Sequence, residues 1–203
     1  MRQYYKFLDK LPEVPLEFQI NAFTEVNDPK GEWYNPSTSE HKDRWFVDRD
    51  GNPGQSSSYR RNSLGEQFHT WVKENIATVY KDAGVGFTQF TGRPTLGGHT
   101  DRTRKYSLIY LLQPGGAKVM TRWYQDPEYP IWREGIVHVQ DHSKLILLEE
   151  LEIPVKKWIC INAQCIHSVE GIQTQRISIN ISFDQDEFGL DEDHLLPNIN
   201  NKI

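Results

Sequence analysis

Residues 97–113 read Gly97-Gly98-His99-Thr100-Asp101-Arg102-Thr103-Arg104-Lys105-Tyr106-Ser107-Leu108-Ile109-Tyr110-Leu111-Leu112-Gln113, and the rest of the chain is organised around them. A histidine and an aspartate two positions apart precede an apolar run rich in β-forming residues. In extended backbone, side chains at i and i+2 leave the same face, with Cα atoms roughly 6.5–7 Å apart. An imidazole nitrogen of His99 and a carboxylate oxygen of Asp101 can therefore converge on one ion. Gly97-Gly98 lets the chain turn sharply into that pair. Two neighbouring ligands leave most of a metal's coordination sphere open, so a third donor must come from elsewhere in the chain. The obvious supplier is His167, which heads the stretch running through Arg176-Ile177-Ser178-Ile179-Asn180-Ile181-Ser182-Phe183.

The bulk properties narrow the class. A chain of 203 residues can bury one full core and is short for two, so 1–203 is read as a single domain. A formal charge of −5 argues against nucleic-acid phosphate as the main partner. Cys160 and Cys165 cannot build a disulfide framework and are read as reduced thiols in a cytoplasmic setting. The opening Met1-Arg2-Gln3-Tyr4-Tyr5-Lys6-Phe7-Leu8-Asp9-Lys10 has no unbroken apolar core of a signal peptide, and no stretch is long and apolar enough to span a bilayer. Nothing in the sequence fixes an oligomeric state.

Outward from the ligand stretch, the chain divides into a flanking segment (1–84), a β-rich core (85–183) and a tail (184–203). Pro15-Leu16-Glu17-Phe18-Gln19-Ile20 alternates like a strand. Residues 35–60 are polar and turn-rich, a surface connector. A support helix over about 63–82 follows: Asn62-Ser63 can cap it, Glu66 completes a capping box, and Leu64, Phe68, Trp71, Val72 and Ile76 repeat at helical spacing. His69 lies beside that stripe and is read as a packing residue. Strands are predicted over 85–91, 105–113, 117–124, 144–153, 157–162 and 175–183. Many short strands without βαβ alternation predict a mainly β protein, an antiparallel double-sheet barrel or sandwich buttressed by helix. Residues 125–143 form an aromatic-bearing insertion in which His138 and His142 are loop histidines, since no helical pattern supports an i, i+4 zinc pair. Asp184-Gln185-Asp186-Glu187-Phe188-Gly189 lacks the acidic positions of a calcium loop.

Two histidines and one carboxylate on one side of an ion form a facial donor set suited to non-haem Fe(II). By the i, i+2 rule Arg176 and Ser178 leave one face of the last strand. A guanidinium there can clamp a carboxylate through paired N–H donors. Metal set plus clamp is what an oxidase using a keto-dicarboxylic acid requires. Trp123, Tyr124 and Trp132 are core or cleft aromatics, and Arg102-Thr103-Arg104-Lys105 is read as a solvated basic turn.

On these residues the chain resembles the 2-oxoglutarate- and Fe(II)-dependent oxygenases, through His99-Thr100-Asp101, His167 and Arg176. The eight residues between His167 and Arg176 resemble the prolyl-hydroxylase-like branch. The resemblance runs from about 87 to 183 and takes in Phe90-Thr91-Gly92-Arg93 and Gly115-Gly116. It implies a double-stranded β-helix (jelly-roll) core, Fe(II) held by His99, Asp101 and His167, and 2-oxoglutarate anchored by Arg176. It further implies a tyrosine sharing the distal carboxylate, for which Tyr110 is the candidate. A one-residue register shift would instead turn Ser107 and Leu111 inward. Ser178 matches an Arg-X-Ser pattern of the plant-enzyme branch. The activity implied is hydroxylation of a C–H bond by dioxygen, with 2-oxoglutarate decarboxylated to succinate and an amino acid, peptidyl residue or small molecule as substrate. Asp101 in the carboxylate position argues against halogenation. Two other readings fit the same residues: a cupin-like metal-dependent isomerase or hydrolase, and a non-catalytic jelly-roll binding module.

Overall fold

The computed structural model describes residues 4–27, 45–47, 53–56, 58–89, 94–101, 104–125, 131–133, 136–139 and 141–190. In chain order its elements are β1 (Tyr5–Phe7), α1 (Leu16–Asn27), β2 (Trp45–Val47), β3 (Pro53–Ser56), β4 (Ser58–Asn62), α2 (Glu66–Asn75), β5 (Asp82–Gln89), β6 (Pro94–His99) and β7 (Tyr106–Gln113). There follow β8 (Met120–Tyr124), β9 (Ile131–Arg133), β10 (Ile136–His138), a 3-10 turn (His142–Lys144), β11 (Leu147–Leu151), β12 (Trp158–Asn162), β13 (His167–Glu170) and β14 (Arg176–Phe183).

One sheet has the order β1-β12-β7-β14-β5-β4 and the other β11-β8-β13-β6-β10-β9, with β3 parallel to β6 and β2 beside β3. From β5 to β8 the chain crosses between the sheets at every step. The β9–β10 hairpin stays in the second sheet, as does β11, and β12, β13 and β14 again alternate. Pairing between β5 and β14, β14 and β7, β7 and β12, β8 and β11, β8 and β13, and β13 and β6 is antiparallel throughout. This is a double-stranded β-helix.

Alternation along the strands sorts side chains into layers. Tyr106, Leu108 and Tyr110 of β7, Ile177, Ile179, Ile181 and Phe183 of β14, and Trp158 and Cys160 of β12 pack with Phe18 and Ala22 of α1 and Phe68 and Val72 of α2. The helices thus cover the back of the first sheet. Phe18 meets Phe68 edge-on at 5.2 Å, and Phe68 stacks on Trp71 at 5.9 Å. Each such fully buried side chain contributes about 1.5–3 kcal/mol. The opposite faces of the same strands send Leu111, Ile159 and Ile161 between the sheets, where they pack with Trp123, Ile153 and Cys165.

Two local expectations are corrected. Residues 16–27 form a helix, where alternation of 15–20 suggests a strand. Leu16, Phe18 and Ile20 alternate as a strand would, but Phe18 is buried while Leu16 and Ile20 are exposed. The buried set is Val14, Phe18 and Ala22, spaced by four, which is the helical stripe. The support helix is shorter than 63–82 because Gly65, at φ +85°, is its N-cap and no side chain caps it. The Ser63 hydroxyl instead accepts from Gly65 N–H at 3.1 Å, so the capping box does not form. Residues 82–84, placed at the helix end by the sequence, pair with β14 as the start of β5. The 35–60 connector, Phe90-Thr91-Gly92-Arg93, Arg102-Thr103 and the 191–203 end lie wholly or largely outside the described residues.

Candidate metal centre

His99 ends β6 and His167 begins β13, and the two are direct antiparallel partners. Their rings lie 4.7 Å apart between centroids. Asp101 follows β6, and its backbone N–H donates to the Ala163 carbonyl at 2.8 Å, which ties it to the turn leading into β13. Asp101 Oδ1 lies 3.5 Å from His99 Nε2. One donor atom from each of His99, Asp101 and His167 falls within 4.8 Å of the others. The three side chains form one facial donor set. Two residues adjacent-but-one in sequence and a third 66 positions beyond Asp101 are brought together by the β6–β13 pairing and the Asp101–Ala163 backbone bond.

His167 and Asp101 are each oriented by a second contact. The Nδ1–H of His167 donates to the Cys165 carbonyl at 2.9 Å, which leaves Nε2 with its lone pair exposed toward the other two. Burial, reinforced by the neighbouring His99, lowers the His167 pKa to about 4, so the ring is neutral and ligand-competent at neutral pH. Burial pushes the Asp101 carboxyl up, but the Arg104 guanidinium, a hydrogen bond from His99 and both imidazoles outweigh it. The group stays well below the usual carboxylate range. Arg104 Nε donates to Asp101 Oδ2 at 2.6 Å. This corrects the reading of 102–105 as solvated, at least for Arg104, whose side chain is 17% exposed. The Gln164 amide clamps the loop further, donating to the Asp101 and Arg104 carbonyls at 3.0 and 2.9 Å.

Arg176 opens β14 and leaves the face opposite to Ile177, Ile179 and Ile181, together with Ser178, Asn180 and Ser182. The inward face of this central strand is therefore polar at every second position. Arg176 is 8% exposed, and its Nη1 donates to the Pro114 carbonyl at 3.0 Å. Among the described residues no carboxylate pairs with it, and burial lowers its pKa to about 10. A desolvated guanidinium without a counter-charge is costly in a folded protein unless an anion meets it.

Tyr110 does not reach this space. It packs against Trp158 at 5.0 Å in the helix-facing layer, where its hydroxyl is buried near Val14. The alternative register is the one adopted, with Ser107 and Leu111 on the inward face of β7. Leu111 pairs with Ser178 and Ser107 with Ser182. Ser107 is buried and, among the described residues, its hydroxyl has no partner, as is true of the indole N–H of Trp123, the direct strand partner of His167. Ser178 Oγ lies 3.5 Å from the Gly86 carbonyl. His69 bonds the Tyr80 hydroxyl at 2.7 Å, away from the donors. Trp123 is inside the barrel, and Tyr124 is on the outer side of the second sheet with Ile166. The side chains of His138 and Trp132 lie outside the described residues.

The donors fit iron by their chemistry, two neutral nitrogens and one anionic oxygen on one side, and the unbalanced Arg176 fits an acid beside it. No protein-family model matches the chain, and no curated protein does. Among solved structures the chain is similar to a Pseudomonas putida prolyl-4-hydroxylase, at 11% identity and a TM-score of 0.48 over 90% of this chain and 94% of that one. It is similar also to a Trichoplax adhaerens prolyl hydroxylase in complex with a hypoxia inducible factor peptide fragment, at 9% identity and 0.43 over 93% and 87%. A third is the non-heme alpha ketoglutarate dependent epimerase SnoN from nogalamycin biosynthesis, at 13% and 0.43 over 89% and 78%. No helix among the described residues is long and apolar enough to cross a membrane.

Proposed function

We propose that this protein is an Fe(II)- and 2-oxoglutarate-dependent dioxygenase that hydroxylates a C–H bond of an amino acid, a peptidyl residue or a small molecule. The observation that carries the reading is the pairing of a facial His99/Asp101/His167 donor set with a buried, uncompensated Arg176 on an inward strand face. His99, Asp101 and His167 would hold the metal, and Arg176 would hold the far carboxylate of 2-oxoglutarate, as a planar fork accepts two oxygens. When bound, iron and 2-oxoglutarate supply the oxidation: dioxygen gives one oxygen atom to succinate, carbon dioxide leaves, and the other atom becomes the substrate hydroxyl. The chain's own work is to bind, orient and keep water out. Asp101, with Oδ2 taken by Arg104, would offer its other oxygen to the ion. Ser107 and Trp123 present unpartnered polar atoms to the barrel interior, where a co-substrate oxygen could meet them.

Calorimetric titration of Mn(II), then of 2-oxoglutarate, into the apoprotein tests this. One stoichiometric metal site and metal-dependent 2-oxoglutarate binding are expected, together with Fe(II)-dependent succinate formation. Arg176→Ala should weaken 2-oxoglutarate at least tenfold with Mn(II) affinity unchanged. Metal binding without any 2-oxoglutarate binding would favour the cupin-like reading, and no metal binding would favour a non-catalytic module.

A further inference from the structure

Behind the ligand strands, on the outer side of the second sheet, lies a buried polar cluster that the reaction above does not use. We propose that His142 is a positioning residue for His99: through Nε2 it holds the Gly98 amide and so fixes where the first donor stands. The inference rests on reading His99, Asp101 and His167 as metal ligands.

The need for such a residue follows from the register of β6. It pairs with β13 at Leu96↔Val169 and His99↔His167, so three steps on one strand match two on the other. One extra residue is therefore inserted just before His99. In a regular strand, positions three apart point to opposite faces. The bulge is what lets His99 share the inward face of His167. A bulge also takes backbone groups out of the ladder, and a buried N–H left unpaired is destabilising. Here the Gly98 carbonyl accepts from Val139 N–H at 2.8 Å, while the Gly98 N–H donates to His142 Nε2 at 2.6 Å. A Cβ at position 98 would meet Nε2 at 3.1 Å and Leu145 Cδ1 at 3.6 Å, so only glycine admits so close an approach comfortably.

The imidazole is itself built in. His142 is fully buried, at the head of the 3-10 turn that Asp141 caps through Ser143 N–H. Because Nε2 accepts, the ring proton belongs on Nδ1, and that nitrogen faces Glu170 Oε1 at 3.4 Å. Glu170 is held in turn by the Tyr124 hydroxyl at 2.6 Å, by the Ser168 hydroxyl at 2.6 Å and by Arg122. Ser168 and Glu170 alternate along β13 with His167, so the strand carries a metal donor on one face and the anchor of the tether on the other. The 44-residue tie between Gly98 and His142 runs through the backbone of the ligand strand.

Calorimetric titration of Mn(II) into the full chain tests this with His142→Leu, which keeps the volume and removes the acceptor, and His142→Gln, whose amide oxygen can take its place. We expect about a 10- to 100-fold loss of Mn(II) affinity in the leucine variant. The glutamine variant should stay within about threefold of the unmodified protein by the same scale. A folded His142→Leu that binds Mn(II) as tightly as the unmodified protein overturns the proposal, as does a folded His142→Gln no better than leucine. Nitrogen-15 spectra of the unmodified apoprotein give a readout that no folding defect can obscure. They should show His142 as the Nδ1–H tautomer with a strongly deshielded, exchange-protected Gly98 amide, and an Nε2–H tautomer overturns the tether. Failure of the unmodified protein to bind Mn(II) would instead sink the metal reading, and this inference with it.

Discussion

Arg104 reaches back three residues to place Nε 2.6 Å from Asp101 Oδ2, leaving Oδ1 as the oxygen that faces His99 Nε2 at 3.5 Å. A carboxylate held in this way can offer one oxygen to an ion but not both. Arg104→Ala should therefore keep a stoichiometric Mn(II) site while lowering apoprotein stability by about 1–3 kcal/mol, the usual worth of a charge-assisted bond in a poorly solvated place. Asp101→Ala should abolish the site. Urea melts and metal titrations of the two variants would separate the orienting role from the ligating one, and loss of the site in both would refute it.

If Arg176 holds an acid, its burial is a cost to stability that binding repays. Its guanidinium is buried against the Pro114 carbonyl with no acidic partner among the described residues. Replacing it with methionine, similar in length and apolar, should stabilise the apoprotein by about 1 kcal/mol or more while 2-oxoglutarate binding is lost. A drop in melting temperature would mean that the cation is already compensated, and would weaken the argument for an acid at this position.

Glu170 should make the fold acid-sensitive. Burial raises its pKa, but the nearby His142 imidazole, the Ser168 and Tyr124 hydroxyls and the charge of Arg122 win, bringing it down from 4.5 to about 2. Because the folded value lies below the unfolded one, the stabilisation is complete above about pH 4.5 and disappears as pH falls toward 2. Its ceiling is about 3 kcal/mol. The stability difference between the unmodified protein and Glu170→Gln should shrink steadily from pH 5 to pH 2.5, and a difference independent of pH would contradict the ionised network.

The register of β7 makes a clean distinction. Tyr110→Phe removes a hydroxyl buried on the helix-facing side of the strand, so it should leave 2-oxoglutarate affinity unchanged. Leu111→Asn, on the inward face opposite Ser178, should alter that affinity. Thermal melts and 2-oxoglutarate titrations in the presence of Mn(II) would show which side of the strand meets the co-substrate.

The parts of this protein that could be read in advance are those where residue type and spacing carry the chemistry. His99, Asp101 and His167 declare themselves because few other uses require that combination, and the long strands β7 and β14 because their apolar positions are continuous. α1 hides because Leu16, Phe18 and Ile20 alternate as a strand would, and its buried stripe shows only when Val14 and Ala22 are counted with Phe18. β6 hides because Pro94–His99 is held by its neighbours' backbones, and its glycines give no pattern. Arg104 was concealed by its company, since a run of cations ordinarily faces water. His142 was concealed by the bulge, whose orphaned amide exists only once β6 and β13 are paired; Asp141 and Ser143, which cap its turn, were the one local signal.

β14 offers two separate handles to anyone wishing to modify this protein. Its odd-numbered positions from Ile177 to Phe183 pack in the cluster that includes the helices, and its even-numbered positions from Arg176 to Ser182 leave the opposite face. Libraries confined to the first set can be screened for heat tolerance, and libraries confined to the second for altered acid selectivity. The two searches could then be run in parallel and their best members combined in a single strand of eight residues.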